Sequence, residues 1–242
     1  GEFEVKELFK EEGKKGQLLL SSLRLFSEQG YDRISVRDIA KAAGVSEAAL
    51  YKHFKSKEEM ALYIFKKIIT EYTAQVSLIA EKDIDPIQKL CKIQKYTYQI
   101  YHRDPESIRF VLLSQYQFWD RVEDQVKPHF LLRKLLEEGM ERGNIPKKPV
   151  YLWISMYSGL MLEPLVQYPF FHDEFPSWEE FTLEVSRSIE KLLTQSTEIL
   201  KWEDFSRATE TDELLKWDDL EKGKPEMFRT TTNFDEDSEG DN

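Results

Sequence analysis

The sequence predicts an all-α protein, a small N-terminal three-helix unit followed by a larger helical one, and three observations predict it. Apolar residues recur at three- and four-residue steps through most of the chain. Helix-starting signals stand ahead of these runs: Ser35, Ser46 and Ser56, and the pairs Asp85–Pro86 and Asp104–Pro105. Alternating apolar runs, hairpin dipeptides and internal repeats are missing, so no strand is expected.

Leu18, Leu19, Ser22, Leu23 and Phe26 share one face of a first helix that stops at Gly30. Ser35 caps a second, with Val36, Ile39, Ala40 and Ala43 inward and Asp38 where a capping box would place Glu or Gln. Gly44 ends it. Ser46 caps a third helix of about two turns carrying Ala49, Leu50 and Phe54. A fourth starts after Ser56 and runs to Ala80 on Met60, Leu62, Ile64, Phe65, Ile68 and Ile69. Further helices are expected from 86 to 102 and from 105 to 118. The seventh runs from Asp120 to Gly143 with a kink or break at Pro128, the eighth from Pro149, and the ninth from Pro176 to Leu200. The domain reading is therefore 13–57, 58–200 and an acidic tail over 201–242, read first as solvated, with a short amphipathic helix at 211–220 as the alternative.

The chain has 242 residues, 40% of them hydrophobic and 33% charged, which suits a globular protein with a core. The most apolar stretch, Val150 to Val166, is interrupted by Ser155, Ser158, Glu163 and Pro164, so no membrane span is expected. Residues 1–12 are charged and hold no apolar run of the kind a secretory leader needs, and a lone Cys91 cannot form an intramolecular disulfide. The cytoplasm is the expected compartment.

The net charge of −11 argues against a polyanionic partner until its distribution is considered. Between Gly13 and Lys57 stand Lys14, Lys15, Arg24, Arg33, Arg37, Lys41, Lys52, Lys55 and Lys57, against only Glu28, Asp32, Asp38 and Glu47. A basic module is thus joined to an acidic body, and such asymmetry orients the molecule on a polyanion.

Within that module Ala40 and Ala43 are small enough for two helices to cross closely, Gly44 permits the tight turn, and Val45 with Leu50 fills the space between. This is a helix-turn-helix over residues 35–54, and it presents the first turn of its last helix to a DNA major groove. Tyr51, His53 and Lys57 offer donors suited to phosphate oxygens, as does the helix start around Ser35 and Arg37.

From Leu18 through Leu62 the sequence closely resembles the N-terminal domain of the tetracycline-repressor (TetR/AcrR) family of transcriptional regulators. Matching positions include Phe26, Gly30–Tyr31, Ile39–Ala40, Ala43 to Ser46, Leu50–Tyr51, His53–Phe54 and Lys57 to Glu59. Ser22 departs from the alanine usual there, and a serine is tolerated by bonding back to its own helix. The resemblance implies that Ser46, Glu47, Ala48, Ala49 and Lys52 lie near base edges, with Ser35, Arg37, Tyr51, His53 and Lys57 on phosphates. It implies a ligand-responsive repressor that releases a palindromic double-stranded operator when a small molecule binds the C-terminal domain. The ligand cavity is expected among helices four to eight, drawing on Tyr96, Tyr98, Phe110, Gln115, Tyr116, Trp119, Trp153 and Tyr157. Helices eight and nine, with Trp153, Tyr157, Leu160, Leu183, Ile189 and Leu192, look like the family's homodimer interface.

Other chemistries find no footing. The histidines 53, 102, 129 and 172 are scattered, no metal-ligand spacing occurs, and neither a nucleophile elbow nor a glycine-rich phosphate cradle is present. No metal, cofactor or enzymatic activity is expected.

Overall fold

The computed structural model describes residues 4–113 and 117–195, and no β-strand occurs among them. A short helix α1 (Val5–Leu8) and a 3-10 turn precede α2 (Gly13–Gln29), α3 (Val36–Ala43) and α4 (Glu47–Tyr51). Then follow α5 (Lys57–Ala80), α6 (Pro86–Arg103), α7 (Pro105–Ile108), α8 (Pro128–Glu141), α9 (Val150–Phe171) and α10 (Trp178–Thr194). The expected tail helix, the end of the ninth helix beyond 195, and Gln115 and Tyr116 lie outside the described residues.

The N-terminal helices form where the sequence places their signals. The Ser35 hydroxyl accepts the Asp38 amide and the Asp38 carboxylate accepts the Ser35 amide at 2.9 Å, a capping box that closes with Asp in the usual Glu position. Ser46 accepts the Ala49 amide at 3.1 Å, and Ser56 that of Glu59 at 3.0 Å. Gly44 adopts φ +67°, and its amide and that of Val45 return to carbonyls of α3. Ser22 is fully buried and its hydroxyl donates to the Leu18 carbonyl at 2.7 Å, beside the Met60 sulfur. The back-bond removes what would otherwise be an unsatisfied buried group.

Residues 4–12, which lack a periodic signal, are structured as well. Val5 and Phe9 are buried, and Glu12 accepts from Tyr63 at 2.6 Å and from Lys67 on α5. A Cβ at Gly16 would fall 2.0 Å from the Phe9 carbonyl oxygen, so this close approach of the N-terminal segment to α2 needs a glycine.

Two boundaries in the body differ from expectation. The helix expected over 105–118 is α7 running directly into a π-helical turn, Arg109–Leu113. Of the kink or break expected at Pro128 the structure shows the break: Pro128 starts α8 at its first position, where its missing N–H needs no partner, and 3-10 turns at Trp119–Arg121 and Asp124–Val126 replace the expected earlier turns. In the body α8 packs on α5, α6 and α9, and α10 packs on α6 and α9. Helix α9 is predominantly apolar: Trp153, Ile154, Tyr157, Met161 and Leu165 face the core, Ser155, Gly159, Glu163 and Gln167 make an exposed stripe, and Tyr151, Leu152, Phe170 and Phe171 are exposed as well. Among the described residues no helix is long and apolar enough to cross a membrane.

Candidate nucleic-acid interface and effector cavity

Helix α4 is one and a half turns long, too short to persist alone, and tertiary contacts hold it. Leu50 is fully buried against Ile39 and Ala40 of α3 and the Phe54 that follows. With that side fixed, the leading turn faces outward: Ser46, Glu47 and Ala48 are exposed and Ala49 half-buried. Tyr51, Lys52 and His53 continue the same exposed surface, and Ser35 and Arg37 at the start of α3 are exposed too. Arg33, Arg37, Lys41, Lys52 and Lys55 make no ion pair among the described residues. Phe54 is core, packed edge-on to Tyr63.

Lys57 differs from its neighbours. Its ammonium donates to the Tyr31 carbonyl at 2.8 Å and lies 4.1 Å from the centre of the Tyr31 ring. It braces the start of α5 against the 31–33 turn and is not presented to solvent as a free cation.

A cavity of about 530 Å³ opens in the body, within the range of small-molecule sites. Val76, Ile93, Leu112, Leu132, Ile154, Met161, Leu162 and Val166 make it mainly apolar, with Tyr72, His129, Ser155, Ser158 and Glu163 as polar points. Of the described aromatic residues expected there, only Trp119 lines it. Tyr98 and Tyr157 are buried in the core, their hydroxyls donating at 2.7 Å to the carbonyls of Met161 and Leu90. Burial drives the Tyr157 phenol far above its ordinary range, so it stays neutral. Trp153 donates to the Pro146 carbonyl at 3.0 Å, Phe110 packs among Phe26, Phe65 and Phe118, and Tyr96 stacks on Tyr72 behind the wall. The residues that composition did not single out are Ser155, Ser158 and Gly159. Their only signal is small side chains spaced three and four apart on an otherwise apolar helix.

Three residues expected at a subunit interface, Trp153, Tyr157 and Ile189, point inward and are fully buried. Leu160 and Leu192 are half-buried; Leu183 is exposed, as is Leu152 on α9. Among the described residues no cluster of His, Cys, Asp or Glu is arranged to hold a metal ion.

Residues 18–64 match the sequence model of the bacterial regulatory proteins of the tetR family. The chain is 28% identical over 114 residues to the HTH-type transcriptional activator FasR of Mycolicibacterium smegmatis, a match covering 47% of this chain and 52% of FasR. It is 28% identical over 152 residues to the HTH-type transcriptional repressor KstR2 of Mycobacterium tuberculosis, covering 58% and 76%. The match with FasR thus spans about half of that relative. Among solved structures, FadR from Bacillus subtilis in complex with stearoyl-CoA superimposes with a TM-score of 0.62 at 20% identity, over 75% of this chain and 98% of that one. This last likeness shows the fold. Helix-turn-helix motif, family match and named relatives agree: residues 18–64 are a helix-turn-helix domain of the tetR type, and the relatives that the chain resembles are named as transcriptional regulators.

Proposed function

We propose that this chain is a homodimeric repressor in the cytoplasm that binds a palindromic operator and releases it when a small molecule enters the body. The observation that carries the reading is the outward-facing first turn of α4, capped by Ser46 and pinned from behind by Leu50. A turn so held enters a major groove without rearrangement. Ser46, Glu47, Ala48, Ala49 and Lys52 then meet base edges, and Ser35, Arg37, Tyr51 and His53 meet phosphates. Lys57 supports them by fixing α5 to the 31–33 turn. The head is residues 13–57 and the body 58–200 in this scheme.

Dimerisation is supported by the second apolar face of α9. Beyond its core-facing side α9 exposes Tyr151 and Leu152, and α10 exposes Leu183, apolar surface that a second chain can cover. A copy related by a two-fold axis covers them and sets two α4 helices on successive major grooves. The cavity suits a largely apolar effector with a polar handle; stearoyl-CoA, found with the FadR neighbour, is a molecule of that description.

The test is duplex binding measured by mobility shift at several salt concentrations, using fragments selected from genomic DNA. Affinity is expected to fall steeply and log-linearly with salt and to favour an inverted repeat. Failure to retain any duplex at low ionic strength would overturn the reading.

A further inference from the structure

One wall of the body cavity has a chemistry that the general reading leaves unused. Helix α8 starts there without a side-chain cap, and its first two residues, Pro128 and His129, both line the cavity. The Nδ1 atom of His129 is buried and has no hydrogen-bond partner among the described residues. A buried polar atom left without a partner is unfavourable, and such atoms recur where a ligand completes the bond. The His129 ring packs 4.6 Å from the Trp119 ring, centre to centre, and the Lys127 ammonium lies 4.9 Å from the centre of that same indole. Lys127 is itself buried except toward Asp124, an exposed carboxylate that pairs with it at 2.9 Å.

The amides of the first turn of α8 make this wall positive, and the Lys127 ammonium adds to them in so far as the exposed Asp124 leaves it uncompensated. A ligand group that donates hydrogen bonds or carries positive charge is disfavoured there. One that presents an oxygen acceptor is favoured. Burial, followed by the Lys127 charge, lowers the His129 pKa and keeps the imidazole neutral, with one N–H to donate. Elsewhere Tyr72 bonds Thr97, Ser155 donates to the Tyr151 carbonyl, and Glu163 is exposed and accepts from Gln167. The Ser158 hydroxyl adds a second lining donor, and the rest of the lining is aliphatic and aromatic.

Resting on the proposal that this cavity is the effector site, we infer that its ligand is an amphiphile with an aliphatic body and an acyl-type oxygen head, carboxylate or thioester carbonyl, and that His129 receives the head. Lys127 acts as a positioning residue through the local field.

The experiment is calorimetric titration of the full chain with three twelve-carbon probes below their micelle-forming concentrations: sodium dodecanoate, dodecanoyl-coenzyme A and dodecyltrimethylammonium. One or both acyl probes are expected to bind at least about tenfold tighter than the ammonium, the weight of a charge-assisted hydrogen bond. Tighter binding of dodecanoate identifies the free acid as the source, and tighter binding of the thioester identifies the coenzyme A form. His129→Leu is expected to lose about tenfold in acyl affinity, while His129→Gln, which keeps a donor, stays within about threefold of wild type. Should His129→Leu unfold, Lys127→Met must show the weakening instead. Equal binding of the ammonium probe, or acyl binding unchanged in these variants, overturns the inference. Duplex binding of each protein is measured in parallel. Retained duplex with no acyl preference sinks the head-group assignment alone, whereas acyl preference without duplex binding sinks the DNA reading alone.

Discussion

Tyr51 is 50% exposed although it follows Leu50, which is fully buried, and that contrast between neighbours gives α4 its outer face. Its hydroxyl has no internal partner among the described residues, which is why the proposed DNA reading gives Tyr51 to a phosphate. Tyr51→Ala is expected to weaken duplex binding severalfold to about tenfold for every sequence, as loss of one such bond should. Glu47→Ala, on the exposed leading turn, should instead change base preference with the salt slope unaltered. Mobility shifts on an operator and on random duplex separate the two, and a Tyr51→Ala protein that binds both like wild type refutes the phosphate role. Asp38 acts on stability. Its bonds from the Ser35 hydroxyl and amide lower the carboxyl pKa below the ordinary 3.8. A folded value below the unfolded one means that the stabilisation is present above the unfolded pKa and lost as pH falls through the folded one. Asp38→Asn should therefore melt earlier than wild type at neutral pH, and the gap should close in strong acid. A gap independent of pH would show that the charge is irrelevant to the cap.

The elements that were legible in the sequence are those with a local stop or start. Ser35, Gly44 and Ser46 each act within four residues of themselves, so α3 and α4 could be placed from pattern alone. Pro128 was ambiguous because a proline is compatible with a kink inside a helix or with a first turn, and the 3-10 turns before it resolve the choice. Helix α9 shows why the cavity, expected among the right helices, was given the wrong lining residues. Being apolar over most of its surface, it carries little phase, so the pattern could not say which residues face the core, the cavity or a second chain. Aromatic content then favoured Trp153 and Tyr157, which are core, over Ser155 and Gly159, which line the cavity. The N-terminal segment was missed for a similar reason: its two buried side chains, Val5 and Phe9, are too few for periodicity. Where a local signal is strong, a local prediction follows. Gly44 sits at φ +67° with open space where a methyl group would stand, so Gly44→Ala adds backbone strain without a clash. It is expected to destabilise by about 1 kcal/mol. Thermal melting checks this, and an unchanged midpoint would mean that the turn tolerates another geometry.

At the scale of the whole molecule, effector and operator compete only if the cavity wall and the head share a part with two arrangements. The π-helical turn Arg109–Leu113 is placed to be that part. Leu112 lines the cavity, while Phe110, two residues earlier, stacks on Phe26 of α2 with ring centres 5.7 Å apart. Phe110 also meets Phe118, which packs edge-on against Tyr31, the residue that holds Lys57 at the start of α5. A ligand that displaces Leu112 therefore presses on aromatic rings reaching both α2 and the brace of the helix-turn-helix. Such π turns are rare single-turn insertions in helices and recur at functional sites. Phe110→Leu, which loosens the ring stack but keeps an apolar side chain, is expected to leave duplex affinity and dodecanoate affinity each within a few-fold of wild type. Its effect should fall on the ratio of duplex affinities with and without ligand, which for an allosteric regulator lies at about 5- to 150-fold and should shrink toward unity. Titrating duplex at zero and saturating ligand for both proteins measures that ratio directly. If Phe110→Leu releases DNA as fully as wild type, the signal travels by another route, and the remaining continuous path from the cavity to the head is α5 itself, entered through Tyr72 and Val76.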